Sequence, residues 1–324
     1  MEERSKLSAF AKYARFTLAW NIVVILWGVF LRASKSGDGC GQHWLTCQGE
    51  VVPSAPELKT VIEYSHRITS FLAFVAVTGL LIWAFRKSQK GNPIRKTAFL
   101  SFVFVVTEGL VGAGLVLTGN TADTLTAARP FWMAGHLINT FVLLAFLALT
   151  ARYASGGEAL KWNVPAKYRS AIAIGALAIF IVGITGSIAA LSNMLFPSGT
   201  LAAGVAADFS PTSHMLLRLR LLHPITAILT GVFLVFLTGW LAKESDSPKV
   251  KRWSNVLALL VLTQIAFGSA TLLMLGPIVM QIGHLFLMDM IWISFVMLSA
   301  SFLASERSDS GVSPALAAGN EVVE

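Results

Sequence analysis

The sequence predicts an all-α, polytopic membrane protein, with eight transmembrane helices arranged as two pseudo-symmetric four-helix bundles. Three observations carry that prediction. Only 13% of the 324 residues are charged, against about 25% in a soluble domain, and the mean hydropathy is +0.69. Apolar stretches of roughly 20 residues recur along the chain, long enough to cross a hydrocarbon core about 30 Å thick. Landmarks of the first half also return in the second. The alternating segments of about 10 residues that a transmembrane β-barrel needs are absent.

Taken in order, a basic segment (Arg4, Lys6, Lys12, Arg15) leads into a first span at 16–31. That span is too long for a signal h-region and no small-residue cleavage site follows it, so it is expected to be retained. A Gly- and Pro-rich loop, 32–59, holds both cysteines of the chain and precedes the second span, 61–85. The densest basic run, 86–96, comes next, then spans at 98–117 and 131–151. Arg152, Lys161, Lys167 and Arg169 mark the connection to the fifth span, 171–191, which opens into a long, weakly charged loop at 192–214. The sixth span, 216–241, ends among Lys243, Lys249, Lys251 and Arg252. The seventh, 254–275, meets the eighth, 278–303, through a tight Gly276-Pro277 turn, and the polar tail past 308 is expected to be disordered.

Charge distribution fixes the expected topology. The net charge is +8, but Lys and Arg sit mainly in the N-terminal segment and in the connections after spans two, four and six. By the positive-inside rule these connections and both termini face the cytoplasm, and the cysteine loop faces outward. Charge confined to short connections reports topology; a nucleic-acid partner would need it clustered on one solvated face.

The repeat aligns Gly28 with Gly183, His66 with His223, Glu108 with Gln264 and Gly112 with Gly268, and Gly135-His136-Leu137 recurs as Gly283-His284-Leu285. Spans one to four and five to eight therefore read as two copies of one unit, 1–155 and 156–324, each expected to hold a site inside its bundle. His66, His136, His223 and His284 head spans two, four, six and eight, at similar depth below the outer surface. Within each copy they form a pair on non-adjacent helices, as bis-His ligation of a haem iron requires. A single intramembrane histidine is more simply a core residue with its N–H satisfied; four in register with a repeat are not. Zinc is the rival ligand, but it wants about four donors together.

The two copies differ beside the first histidine. Glu63 stands where the second copy has Arg220, and Arg67 where it has Pro224. A carboxylate three residues before a ligand histidine gives the first bundle the chemistry and leaves the second a resident cofactor; capping the helix, or pairing with Arg67, is the plainer alternative. Cys40 and Cys47, spaced C-x6-C in an outward loop, are expected to form a disulfide with a structural or a redox role. A partial zinc site with His43 is the other possibility. Glu108-Gly109 and Gly112-Ala113-Gly114 are read as close helix packing through small residues. The outer arginines Arg32, Arg129, Arg218 and Arg220 are candidates for haem propionates or interfacial anchors, and His43 and His214 are expected to be solvated.

Over all eight spans the chain resembles the haem A synthase family of bacterial membranes and mitochondria. The residues that carry the likeness are Glu63-x-x-His66-Arg67, the helix-heading His136, His223 and His284, and Cys40-x6-Cys47. The resemblance implies oxidation of a ring methyl of haem O to the formyl group of haem A through a hydroxymethyl intermediate. It implies haem b on His223 and His284, substrate haem O between His66 and His136, and an essential Glu63. Haem O synthase, and a haem-copper oxidase or its assembly factors, are the implied partners, in a cell membrane whose lipid admits the substrate. The His223-Pro224 pair departs from the family's His-Arg, which puts propionate contacts in the second bundle in question. A bis-His cytochrome that only transfers electrons and a haem transporter or chaperone are the competing readings.

Overall fold

The computed structural model describes residues 7–305; Arg4, Lys6 and the tail expected to be disordered lie outside the described residues. Among the described residues ten helices follow one another: α1 (Ala9–Ala33), α2 (Leu58–Lys87), α3 (Pro93–Leu117), α4 (Arg129–Ala154), α5 (Ala166–Leu195), α6 (Leu201–Phe209), α7 (Met215–Leu219), α8 (Leu222–Lys243), α9 (Pro248–Leu273) and α10 (Ile278–Ser305). With α7 and α8 taken as one span, eight are long and apolar enough to cross a membrane. The chain is an all-α, multi-pass membrane protein.

The helices outrun the predicted spans because apolar stretches mark the hydrocarbon crossing, while capping decides where a helix stops. Ser8 accepts the N–H of Ala11 at 3.1 Å and starts α1 well before the first apolar run. Asn92 accepts from Ile94 at 3.0 Å, and Pro93 sits at the first helical position, so α3 begins five residues ahead of its predicted span. Proline is tolerated there because its missing N–H would be unpaired anyway.

The 192–214 segment is more ordered than its reading as a loop. Thr200 accepts the N–H of Ala203 at 3.2 Å and nucleates α6. Arg220 then draws α6 and α5 together: it pairs with Asp208, and donates to Asn193 Oδ1 and to the carbonyl of Gly204, both at 2.9 Å. The sixth span is also broken, between α7 and α8. Pro224 has no N–H to donate and its ring would clash with the carbonyl four residues back, so the helix restarts with Pro224 inside the new first turn.

In the first half α1 packs on α2 and α4, α2 on α3, and α3 on α4, which closes a ring. In the second half α5 packs on α8, α8 on α9, α9 on α10, and α10 back on α5. The two rings meet where α4 lies against α5 and α10, and α1 against α10. Lipid is as apolar as the side chains, so close packing and hydrogen bonds must hold such a seam together. At its centre Phe141, Phe180 and Trp292 are in mutual ring contact, and Trp292 Nε1 donates to the carbonyl of Phe141 at 2.6 Å.

Gly183 belongs to this seam: a Cβ there would stand 2.6 Å from Leu137 Cδ2 and 3.0 Å from Phe141 Cε2. The glycine that matches Gly28 is therefore Gly186, which touches His223 as Gly28 touches His66. Sequence alignment missed this because Gly183 and Gly186 lie three residues apart on one helix. The end of the first bundle away from the histidines is filled by Ala14, Val77, Leu80, Leu147 and Ala151, all buried. Space is left at the other end.

Candidate functional site

That space is a cavity of about 1490 Å³, which His66, His136, His223 and His284 all line. It exceeds the roughly 300–1,000 Å³ of an ordinary small-molecule pocket. Each histidine lies six to eight residues into its span, counted from Leu58, Arg129, Met215 and Ile278, or about 9–12 Å at 1.5 Å per residue. The rings of His223 and His284 are 6.1 Å apart between centroids and nearly perpendicular, at 86°. Two imidazoles each holding one metal through a nitrogen at about 2 Å would stand roughly 6 Å apart.

Small residues make room for the rings. A Cβ at Gly28 would lie 3.1 Å from His66 Cε1, one at Gly186 2.9 Å from His223 Cε1, and one at Gly268 2.8 Å from His284 Cε1. Each ring rests directly on the backbone of the neighbouring helix. The Nδ1 atoms of all four histidines are buried; that of His136 faces Glu108 Oε1 at 3.3 Å, and those of His66, His223 and His284 have no side-chain partner among the described residues. The plainer reading, a core histidine with its N–H satisfied by a side chain, fits His136 alone of the four. Four imidazoles around one cavity have the donor chemistry to hold two iron porphyrins, two nitrogens to each.

Glu63 and Arg67 sit one turn apart on α2, at the cavity wall, and both grip the cysteine loop. Glu63 is buried; its Oε2 accepts the backbone N–H of Cys40 at 2.8 Å and its Oε1 accepts from Arg67 Nη2 at 2.5 Å. Arg67 Nη1 also donates to the carbonyls of His43, Trp44 and Thr46. Cys40 and Cys47 are disulfide-bonded and fully buried, which takes both thiols and removes the zinc alternative. Thr60 adds a hydrogen bond to the carbonyl of Gly39 at 2.8 Å. The outer loop is thus clamped onto the head of α2.

The remaining candidates divide. Arg32 and Arg129 face the cavity; Arg32 donates to Gln281 Oε1 at 3.3 Å, and Arg129 is buried with its Nε unpartnered. Arg220 also lines the cavity but is engaged by Asp208, while Arg218 is exposed and donates to the carbonyl of Pro211. His43 and His214 are exposed, and His214 Nδ1 caps α7 by accepting from Leu216 at 3.2 Å.

Two carboxyls that sequence reasoning passed over lie inside spans. Glu108, read as part of a packing motif, points its carboxylate at His136, with Oε1 3.3 Å from Nδ1. Asp289 is fully buried five residues past His284, and neither oxygen is hydrogen-bonded among the described residues. The signal was available, because an ionisable group within a span is uncommon and marks function by default.

Comparison with known proteins fits this arrangement. The family model of the COX15-CtaA cytochrome oxidase assembly proteins matches residues 11–296. A Thermus thermophilus protein named "Protoheme IX farnesyltransferase" is 44% identical over 296 residues, which cover 91% of this chain and 49% of that one. The chain thus spans about half the length of the first curated relatives it matches. A "Heme A synthase" of Halalkalibacterium halodurans is 29% identical over 84% of this chain and 89% of its own, and one of Shouchella clausii is 28% identical over 78% and 83%. A match of this extent, through every span that carries a cavity histidine, makes the chain a member of the COX15-CtaA family of cytochrome oxidase assembly proteins.

Proposed function

We propose that the chain is a haem A synthase, a membrane oxidoreductase that converts haem O to haem A. The observation that carries the reading is the cavity itself, with four half-buried imidazoles, two from each ring of helices, around a space large enough for two macrocycles. Relatives named "Heme A synthase" that align over most of their length support it.

The assignment of roles follows the asymmetry between the two halves. The first, 1–155, takes substrate haem O between His66 and His136; the second, 156–324, keeps haem b on His223 and His284. Bound haem supplies the redox chemistry. The chain supplies ligation, orientation and charge. Glu63, at the cavity wall beside His66, provides negative charge toward the methyl that becomes positive as it is oxidised, or takes a proton from it. The bonds from Cys40 and Arg67 hold that carboxylate in place while it does so. Arg32 and Arg129 are placed for propionates. The farnesyl tail of the substrate enters sideways from lipid. Both termini lie on the cytoplasmic side of a bacterial cell membrane, in keeping with the basic connections.

Haem O synthase supplies the substrate, and a haem-copper oxidase or its assembly factors receives the product. The match to half of a protein named for farnesyl transfer to protohaem supports the first of these partners. The test is co-expression with a haem O synthase, followed by mass analysis of extracted pigments. Haem A, with its hydroxymethyl precursor, is expected. Bound haem without either product would leave an electron-transferring cytochrome or a haem carrier.

A further inference from the structure

Glu108 lies on α3, in the middle of the first bundle, and three groups from α4 converge on it. Thr140 Oγ1, which also lies 2.9 Å from the carbonyl of His136, is in hydrogen-bond contact with Oε1, Asn139 Nδ2 donates to Oε2, and His136 Nδ1 stands 3.3 Å from Oε1. The contact is made on Nδ1, which leaves Nε2 of His136 for the cavity. In the second bundle the aligned residue is Gln264, which carries no charge. Its amide donates to the carbonyl of His284 at 3.0 Å and lies 3.4 Å from Nε2 of that ring. Its own Oε1 is buried without a partner.

From this asymmetry we infer that Glu108 is a positioning residue that sets the two haem sites to different reduction potentials, with the first site the lower. The inference rests on the haem reading above and goes beyond it. An imidazole that binds iron through Nε2 carries its proton on Nδ1, where the carboxylate faces it. A carboxylate behind a ligating histidine fixes the ring and raises its basicity. Greater basicity stabilises ferric over ferrous iron, so the potential falls. Gln264 carries no charge and does not touch Nδ1 of its histidine, so the second site stays higher and is suited to accept electrons from the first.

The test is a spectroelectrochemical titration of the full-length, haem-loaded protein, with haem content and the low-spin bis-His spectrum recorded beside it. Glu108→Gln is expected to raise the lower of the two potentials and leave the other in place. The expected size is a tenfold change in the oxidised-to-reduced ratio, about 59 mV for a one-electron couple. Glu108→Asp should recover part of the shift. The reciprocal Gln264→Glu should lower the upper potential, and it decides the matter alone if Glu108→Gln does not fold. Haem-loaded variants with both potentials unmoved would overturn the inference and leave the haem reading standing. Wild-type protein that takes up no haem would overturn both.

Discussion

Glu63 and Cys40, 23 residues apart, are joined by a 2.8 Å hydrogen bond from the backbone N–H of the cysteine to the carboxylate. The same carboxylate accepts from Arg67 one turn further along α2. The residue proposed to act on the substrate is therefore also the anchor of the outer loop. Those two duties can be separated by measurement.

Glu63→Gln removes the charge but keeps one acceptor oxygen. Either Cys40 or Arg67 loses its partner, at a cost of about 1–3 kcal/mol for a buried hydrogen bond to a charged group. The expected variant folds, binds haem, and stops or stalls oxidation. Pigment extraction beside a thermal unfolding curve checks both halves of this. Undiminished haem A from the variant would take Glu63 out of the chemistry.

Removing the disulfide should loosen the loop without releasing it. Closing so short a loop stabilises by about 2–3 kcal/mol in the chain-entropy model. Arg67 still bridges three loop carbonyls, and Thr60 a fourth. Cys40→Ser with Cys47→Ser is therefore expected to speed amide exchange across 39–50 while the spans stay protected. Exchange that rises equally through α2 and α4 would show instead that the loop holds the bundle together.

His223→Ala should lose the resident haem, because its ring faces His284 at 6.1 Å and nothing else in the described structure offers a second imidazole there. His66→Ala should keep that haem and lose substrate binding. Absorption spectra of the two purified variants separate the sites. Identical spectra from wild type and His223→Ala would rule out the ligand assignment.

How much of this was legible in the sequence depends on the kind of signal. The eight crossings were readable because a helix in lipid must be long and apolar. The four histidines were readable because duplication repeats an otherwise ambiguous residue. α6 was not, since nine residues tied down by an Asp208–Arg220 pair leave no periodicity to find. Nor was the engagement of Glu63 and Arg67 with the loop, because backbone groups 20 or more residues away carry no residue-type signature. Glu108 was misjudged for a different reason. Its neighbours Gly109, Gly112 and Gly114 drew the reading toward packing, although Gly109 and Gly112 have open space around them.

Gly186→Val tests how closely the cavity is fitted to its histidines. A Cβ at this position would lie only 2.9 Å from His223 Cε1, closer than carbon atoms settle, so the imidazole has to turn away. Overpacking of this kind costs about 1–3 kcal/mol. The ring stands at the cavity wall and has somewhere to go, so the strain should appear as misplacement of His223 more than as lost stability. Haem occupancy of the second site is expected to fall several-fold while the unfolding temperature moves little, and Gly186→Ala should show the same effect more weakly. Gly183→Val provides the contrast. Its added carbons would meet Leu137 and Phe141 in the seam between the two rings of helices, where Phe141 is buried in ring contact with Phe180 and Trp292. There the unfolding temperature should drop and haem binding follow it. Equal effects from the two valines on both readouts would mean that the seam and the site are one mechanical unit.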